Sequence, residues 1–156
     1  MLYLLGHTYK NLDHIRTTKE IKRDEANQYI NELSIDITDL NNSPSVQICQ
    51  ETIDKIKTKY KYCSKNKHLL NEDIFEQYKI DYTEAKNIYN KKCCILEFID
   101  FDNMLSNNKL LTTIDIDNFK TMFKELKKRY KKLNKNYNIT QYDNLYNYQY
   151  KKYKSL

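Results

Sequence analysis

Residues 71–105 read NEDIFEQYKIDYTEAKNIYNKKCCILEFIDFDNML, and this stretch decides the fold. Asn71 is a good helix N-cap, because its side-chain oxygen can accept one of the first unsatisfied backbone N–H groups. Glu72 and Asp73 follow in the first turn, where the helix dipole favours acids. Ile74, Tyr78, Tyr82, Ala85, Tyr89, Cys93, Leu96 and Ile99 then recur mostly at three- and four-residue spacing and share one helical face. Phe98, Phe101 and Leu105 widen that stripe, so its end expects cover on more than one side. At about 1.5 Å per residue such a helix spans about 50 Å. In a chain of 156 residues this implies an elongated bundle or a bend near residues 91–94. The competing reading is a buried strand over residues 93–101; the length of the periodic run favours the helix.

Outward from this centre the same periodicity recurs. Residues 17–41 place Ile21, Ala26, Tyr29, Ile30, Leu33, Ile37 and Leu40 on one face, with Thr17 or Thr18 as the cap. The alternation of residues 33–37 also suits a strand, but the helical spacing continues on both sides. Asn41-Asn42-Ser43-Pro44 is the clearest break, with Ser43 expected as an N-cap and Pro44 at the first helical position. Val46, Cys49, Ile53, Ile56, Tyr60 and Cys63 then alternate in threes and fours, a seam of the coiled-coil type, within a helix over about 44–65. A fourth helix, about 116–135 and capped by Asp115 or Asp117, carries the seam Ile116, Phe119, Phe123, Leu126, Tyr130 and Leu133.

Four helices with short links predict an all-α fold: an elongated antiparallel bundle of residues 1–135 as a single domain. Leu2, Leu4 and Leu5 are expected to cap one end of it, as a short helix or an extended arm. Residues 136–156 hold Tyr137, Tyr142, Tyr146, Tyr148, Tyr150 and Tyr153 among Asn and Lys, with few aliphatic side chains. They read as a basic tail, flexible until a partner orders it.

Composition excludes several function classes. Gly6 is the single glycine and Pro44 the single proline. Phosphate-cradling loops and dinucleotide-binding turns need glycines at fixed offsets, so neither motif exists here. Lys, Asn, Ile and Tyr all have A/T-rich codons, so their abundance points first to an AT-rich genome. Cys49, Cys63, Cys93 and Cys94 form no Cys-x-x-Cys pair, and two of them lie on a hydrophobic seam. A zinc site drawing on Cys63, His68, Cys93 and Cys94 is therefore the weaker reading, and no cofactor is expected. His7, His14 and His68 have no nucleophile and orienting group in a recognisable local setting, so no catalytic residue is assigned. Asp100, Asp102, Asp115 and Asp117 read as helix-end carboxylates. No run approaches the roughly 18 apolar residues of a membrane span, and residues 1–5 are too few for a signal-peptide core. An intracellular protein with reduced thiols is expected.

Charge is the informative asymmetry. Residues 118–156 carry 11 Lys and Arg against 2 Asp and Glu, a balance of +9; residues 1–117 carry 16 against 19, a balance of −3. Lys120, Lys124, Lys127, Lys128, Arg129, Lys131, Lys132 and Lys135 surround the last seam, and Tyr148, Lys151 and Lys152 extend the basic region. These residues are expected to meet an anionic partner. Leu96, Phe98, Phe101, Met104 and Leu105 are the expected apolar contact to a protein partner, with ordinary core as the alternative. The functional expectation is a non-enzymatic helical subunit of a larger assembly, with protein partners and no small-molecule ligand. Its alternative is a nucleic-acid backbone binder of a nucleoprotein particle.

Overall fold

The computed structural model describes residues 16–156, and among them every regular element is helical. The five α-helices are α1 (Thr18–Asn41), α2 (Val46–Lys65), α3 (Glu72–Asn107), α4 (Thr113–Tyr137) and α5 (Asp143–Lys154). Short 3₁₀ turns at Lys67–Leu69 and Thr140–Tyr142 precede α3 and α5. The expected role of Leu2, Leu4 and Leu5 lies outside the described residues.

The helix starts follow from local chemistry. The Thr17 hydroxyl accepts from the Glu20 N–H at 3.1 Å, and the Asn71 carboxamide accepts from the Ile74 N–H at 3.1 Å, both as expected. Two caps differ from expectation. Ser45, not Ser43, caps α2, accepting from the Ile48 N–H at 3.3 Å, because it stands three residues before the first amide it can reach. Thr112 caps α4 in a reciprocal box: its hydroxyl accepts from the Asp115 N–H at 3.1 Å while Asp115 accepts from the Thr112 N–H at 3.0 Å. Asp115 is therefore the third residue of the box and not the cap. α4 ends at Asn138, whose left-handed backbone (φ 49°, ψ 50°) is one that asparagine tolerates.

Residues 93–101 lie inside α3, which is helical throughout its 36 residues, so the strand alternative falls. Only a helix satisfies that stretch's backbone groups without a neighbouring strand.

The described residues form two compact units, one of residues 16–39 and 52–85, the other of residues 40–51 and 86–156. In the first, Ala26, Leu33, Ile53, Ile56, Cys63, Phe75, Tyr78 and Ala85 are buried. Tyr60 stacks on Tyr82 at 3.8 Å between ring centroids, and Tyr29 meets Tyr62 edge-on at 5.3 Å. A buried ion cluster ties α1 to α2. Asp36, 3% exposed, lies 2.8 Å from the Lys59 ammonium and 3.3 Å from that of Lys55, and Lys59 also reaches Glu32 at 2.5 Å. Burial works to lower the Lys59 pKa, but the hydrogen bonds to Asp36 and Glu32 outweigh it and hold the ammonium above its ordinary value. The same Lys59 hydrogen bond holds the Glu32 carboxyl below its usual range.

In the second unit Phe98 and Leu105 of α3 pack with Phe119, Phe123, Leu126 and Leu133 of α4. Fully burying each such side chain contributes about 1.5–3 kcal/mol. The segment expected as a flexible tail is helical over Asp143–Lys154 and joins this core. Tyr142, Tyr146, Tyr150 and Tyr153 fall at spacings of four, four and three, one face of a helix. Tyr146 stacks on Tyr130 at 4.0 Å and Tyr153 on Phe123 at 4.5 Å. Aromatic area here supplies what aliphatic side chains do elsewhere. At the centre of this docking Gln149 is fully buried, and its amide donates to Asp102 at 3.1 Å and to Ser106 at 2.9 Å.

Candidate functional site

The lysines of α4 form the one strongly charged face that the sequence picked out. At about 100° per residue, Lys120, Lys124, Lys127, Lys131 and Lys135 fall within an arc of about 80°, with Lys128 and Lys132 along its edge. The buried residues Phe119, Phe123, Leu126 and Leu133 occupy a separate arc, so the ridge is kept out of the core. Lys124, Lys127, Lys128, Lys131, Lys132 and Lys135 are exposed and Lys120 is half-buried. The ridge runs for about 22 Å along the helix, with neighbouring charges about one turn apart. That spacing is shorter than the screening length of about 8 Å in physiological salt, so the charges repel one another.

Within this set two residues are already neutralised. Lys128 lies 3.3 Å from Glu125. Arg129 is held by Glu125 at 2.9 Å and Glu97 at 3.8 Å, with its guanidinium 4.2 Å from the centre of the Phe101 ring. Hydrogen bonds from Lys128 and then Arg129 hold the Glu125 carboxyl below its ordinary value. Arg129 thus joins α3 to α4 and stands apart from the lysine ridge, because two carboxylates and a ring already engage its guanidinium. Among the described residues, Lys120, Lys124, Lys127, Lys131, Lys132 and Lys135 have no carboxylate within ion-pair distance.

On α5, Tyr148 is 63% exposed and Lys151 is exposed, whereas the Lys152 ammonium lies 5.3 Å from the centre of the buried Phe119 ring. Lys152 is therefore half-buried against the core, and its stem covers an aromatic face. The expected apolar contact is largely spent inside the chain. Leu96, Phe98 and Leu105 are buried and Phe101 lies under Arg129; Met104 alone of the five is exposed, at 50%. Phe98 and Leu105 share their core cluster with the tyrosines of α5, which takes up part of the free surface that the sequence had suggested.

The cysteines are four free, buried thiols. Burial pushes the Cys63 and Cys93 thiols up, which leaves them as poor nucleophiles. Cys63 donates to the Ala26 carbonyl at 3.4 Å. Among the described residues no group of His, Cys, Asp and Glu is arranged to hold a metal ion, and no helix is long and apolar enough to cross a membrane. The inward tyrosines of α5 are what sequence reasoning missed; their four-residue spacing was the available signal.

Comparison with protein-family models, with curated proteins and with solved structures gives no match.

Proposed function

We propose that this chain is a non-enzymatic helical interaction subunit of a larger intracellular assembly, docked through the lysine ridge of α4 onto an acidic protein surface. The observation that carries this reading is the row of six α4 lysines that have no carboxylate partner among the described residues. Such a row costs repulsion in the free chain, and a polyanionic partner relieves it. Antiparallel packing of the helices across their short links would make the scaffold that holds the ridge straight. Four unpaired buried thiols support a reducing compartment. Five exposed lysines with half-buried Lys120, and one exposed tyrosine, supply charge without a stacking platform, since Tyr142, Tyr146, Tyr150 and Tyr153 are turned into the core. That arrangement favours an acidic protein over single-stranded nucleic acid.

The test compares the full chain with a Lys124→Glu, Lys127→Glu, Lys131→Glu variant. Binding to polyglutamate, single-stranded RNA and duplex DNA is measured at low and physiological salt. Polyglutamate binding that the triple reversal abolishes is the expected result. RNA or DNA binding that survives physiological salt and exceeds polyglutamate binding would move the assignment to a nucleic-acid backbone. A chain that stays helical and inert to all three would overturn both.

A further inference from the structure

We propose that the cleft between the start of α1 and the end of α2 is a second anion site, suited to a small soluble ligand that carries a polyphosphate group. Lys19 and Lys22 of α1, Lys65 at the end of α2 and His68 of the following turn line a cleft of about 540 Å³, with Tyr62 and Leu69 in its wall. That volume falls within the range of about 300–1,000 Å³ typical of small-ligand sites. All the cleft residues belong to the first unit and are remote in sequence from the α4 ridge.

The electrostatics point to a multiply charged anion. Among the described residues no carboxylate lines the cleft, and Lys19, Lys22 and Lys65 have no ion-pair partner. At the middle of the α1–α2 contact, by contrast, Lys55 and Lys59 are matched by Asp36 and Glu32. Among the described residues, the cleft gathers three unpaired lysines from two helices around one concavity. Three like-charged lysines lining one concavity repel one another, and a compact polyanion would relieve that repulsion.

Local structure keeps the cleft in shape. The Asn66 amide donates to the Tyr62 carbonyl at 2.9 Å, and the Tyr62 hydroxyl donates to Glu25 at 2.6 Å, which fixes the aromatic wall. Thr18 brings the first turn of α1 to the cleft, where the positive end of the helix dipole adds to the field. A lysine supplies three donors from a point charge, which suits the several oxygens of a phosphate chain. A concave site selects a compact ligand, unlike the open ridge of α4.

Titration of the full chain with inorganic tripolyphosphate at physiological salt, followed by calorimetry and by amide chemical shifts, tests the assignment. One saturable site is expected, with shifts concentrated at residues 18–22 and 62–69. The Lys22→Ala, Lys65→Ala double variant is expected to weaken binding by about tenfold or more, through loss of two charge-assisted contacts. A Lys57→Ala, Lys61→Ala variant, which removes two exposed α2 lysines that do not line the cleft, is expected to bind like the parent. Absence of saturable binding, or equal weakening by the two double variants, would overturn the site. Binding to phosphatidylcholine vesicles doped with phosphatidylinositol bisphosphate, without binding of free tripolyphosphate, would assign the phosphate chemistry to a lipid headgroup and overturn the soluble ligand.

Discussion

Gln149 of α5 is fully buried, and its amide nitrogen lies 3.1 Å from the Asp102 carboxylate of α3. Asp102 is itself only 8% exposed, so this hydrogen bond satisfies a carboxylate that water reaches poorly. Its geometry sets where α5 docks, because no sliding of the helix would keep both the Asp102 and Ser106 contacts. Replacement of Gln149 by Ala should therefore destabilise the chain by about 2–3 kcal/mol, from a stranded acceptor and a cavity together. Urea unfolding measures this, and a loss below about 0.5 kcal/mol would show that the contact does not form in solution.

The two kinds of α5 tyrosine should behave differently. Tyr146→Ala removes a ring stacked between Tyr130 and Phe123 and should cost about 2–3 kcal/mol, discounted for its partial exposure. Tyr148→Ala removes an exposed ring and should change stability by about 0.5 kcal/mol or less. Equal, negligible effects in thermal unfolding would mean that residues 140–156 are a mobile tail after all.

Lys59 and Asp36 make the sharpest stability test in the first unit. Their side chains are 11% and 3% exposed. Lys59→Ala would leave a buried carboxylate with only the exposed Lys55 beside it, at a cost of about 3 kcal/mol. The Asp36→Leu, Lys59→Met double variant should lose less than Lys59→Ala, since apolar packing replaces the pair without a stranded charge. Chemical denaturation of both variants decides the point; a double variant that is the less stable of the two would sink the argument.

Alkaline pH should weaken the fold before it ionises an unfolded chain completely. The hydrogen bond that Tyr62 donates to Glu25, with burial second, pushes its hydroxyl up to about 12. Burial likewise raises Tyr78, Tyr82, Tyr137 and Tyr146. The unfolded value is about 10. These folded values are raised, so the stability they contribute is fully present below about pH 10 and is lost as pH climbs through the folded values. Tyrosinate absorbance should therefore rise at higher pH in the native chain than in urea. Tyr62→Phe should flatten the loss of stability between about pH 10 and 12; an unchanged slope would show that Tyr62 does not bond to Glu25.

Much of the helical architecture was legible because its causes are local. Thr17 and Asn71 cap their helices from the position the sequence assigns, since a cap acts over three residues. The choice between Ser43 and Ser45, or between Thr112 and Asp115, was not legible, because each pair offers two chemically competent caps a few residues apart. The lysine ridge was also readable as a set of residues. Its true membership was not: Arg129 left it for Glu97 and Phe101, which lie in another helix.

By itself the sequence determined that the chain is helical, where its long helices run, and that positive charge collects after residue 117. Periodicity and caps are properties of neighbours along the chain, so they survive without knowledge of the fold. Tertiary structure alone decided that Leu96, Phe98 and Leu105 are core, that residues 143–154 form a helix packed on the cluster holding Phe98 and Leu105, and that Lys19, Lys22, Lys65 and His68 share one cleft. Those outcomes depend on which surfaces remain once every helix has found a partner. A tyrosine-rich segment too polar to build a core of its own gains enough from covering an existing one to fold.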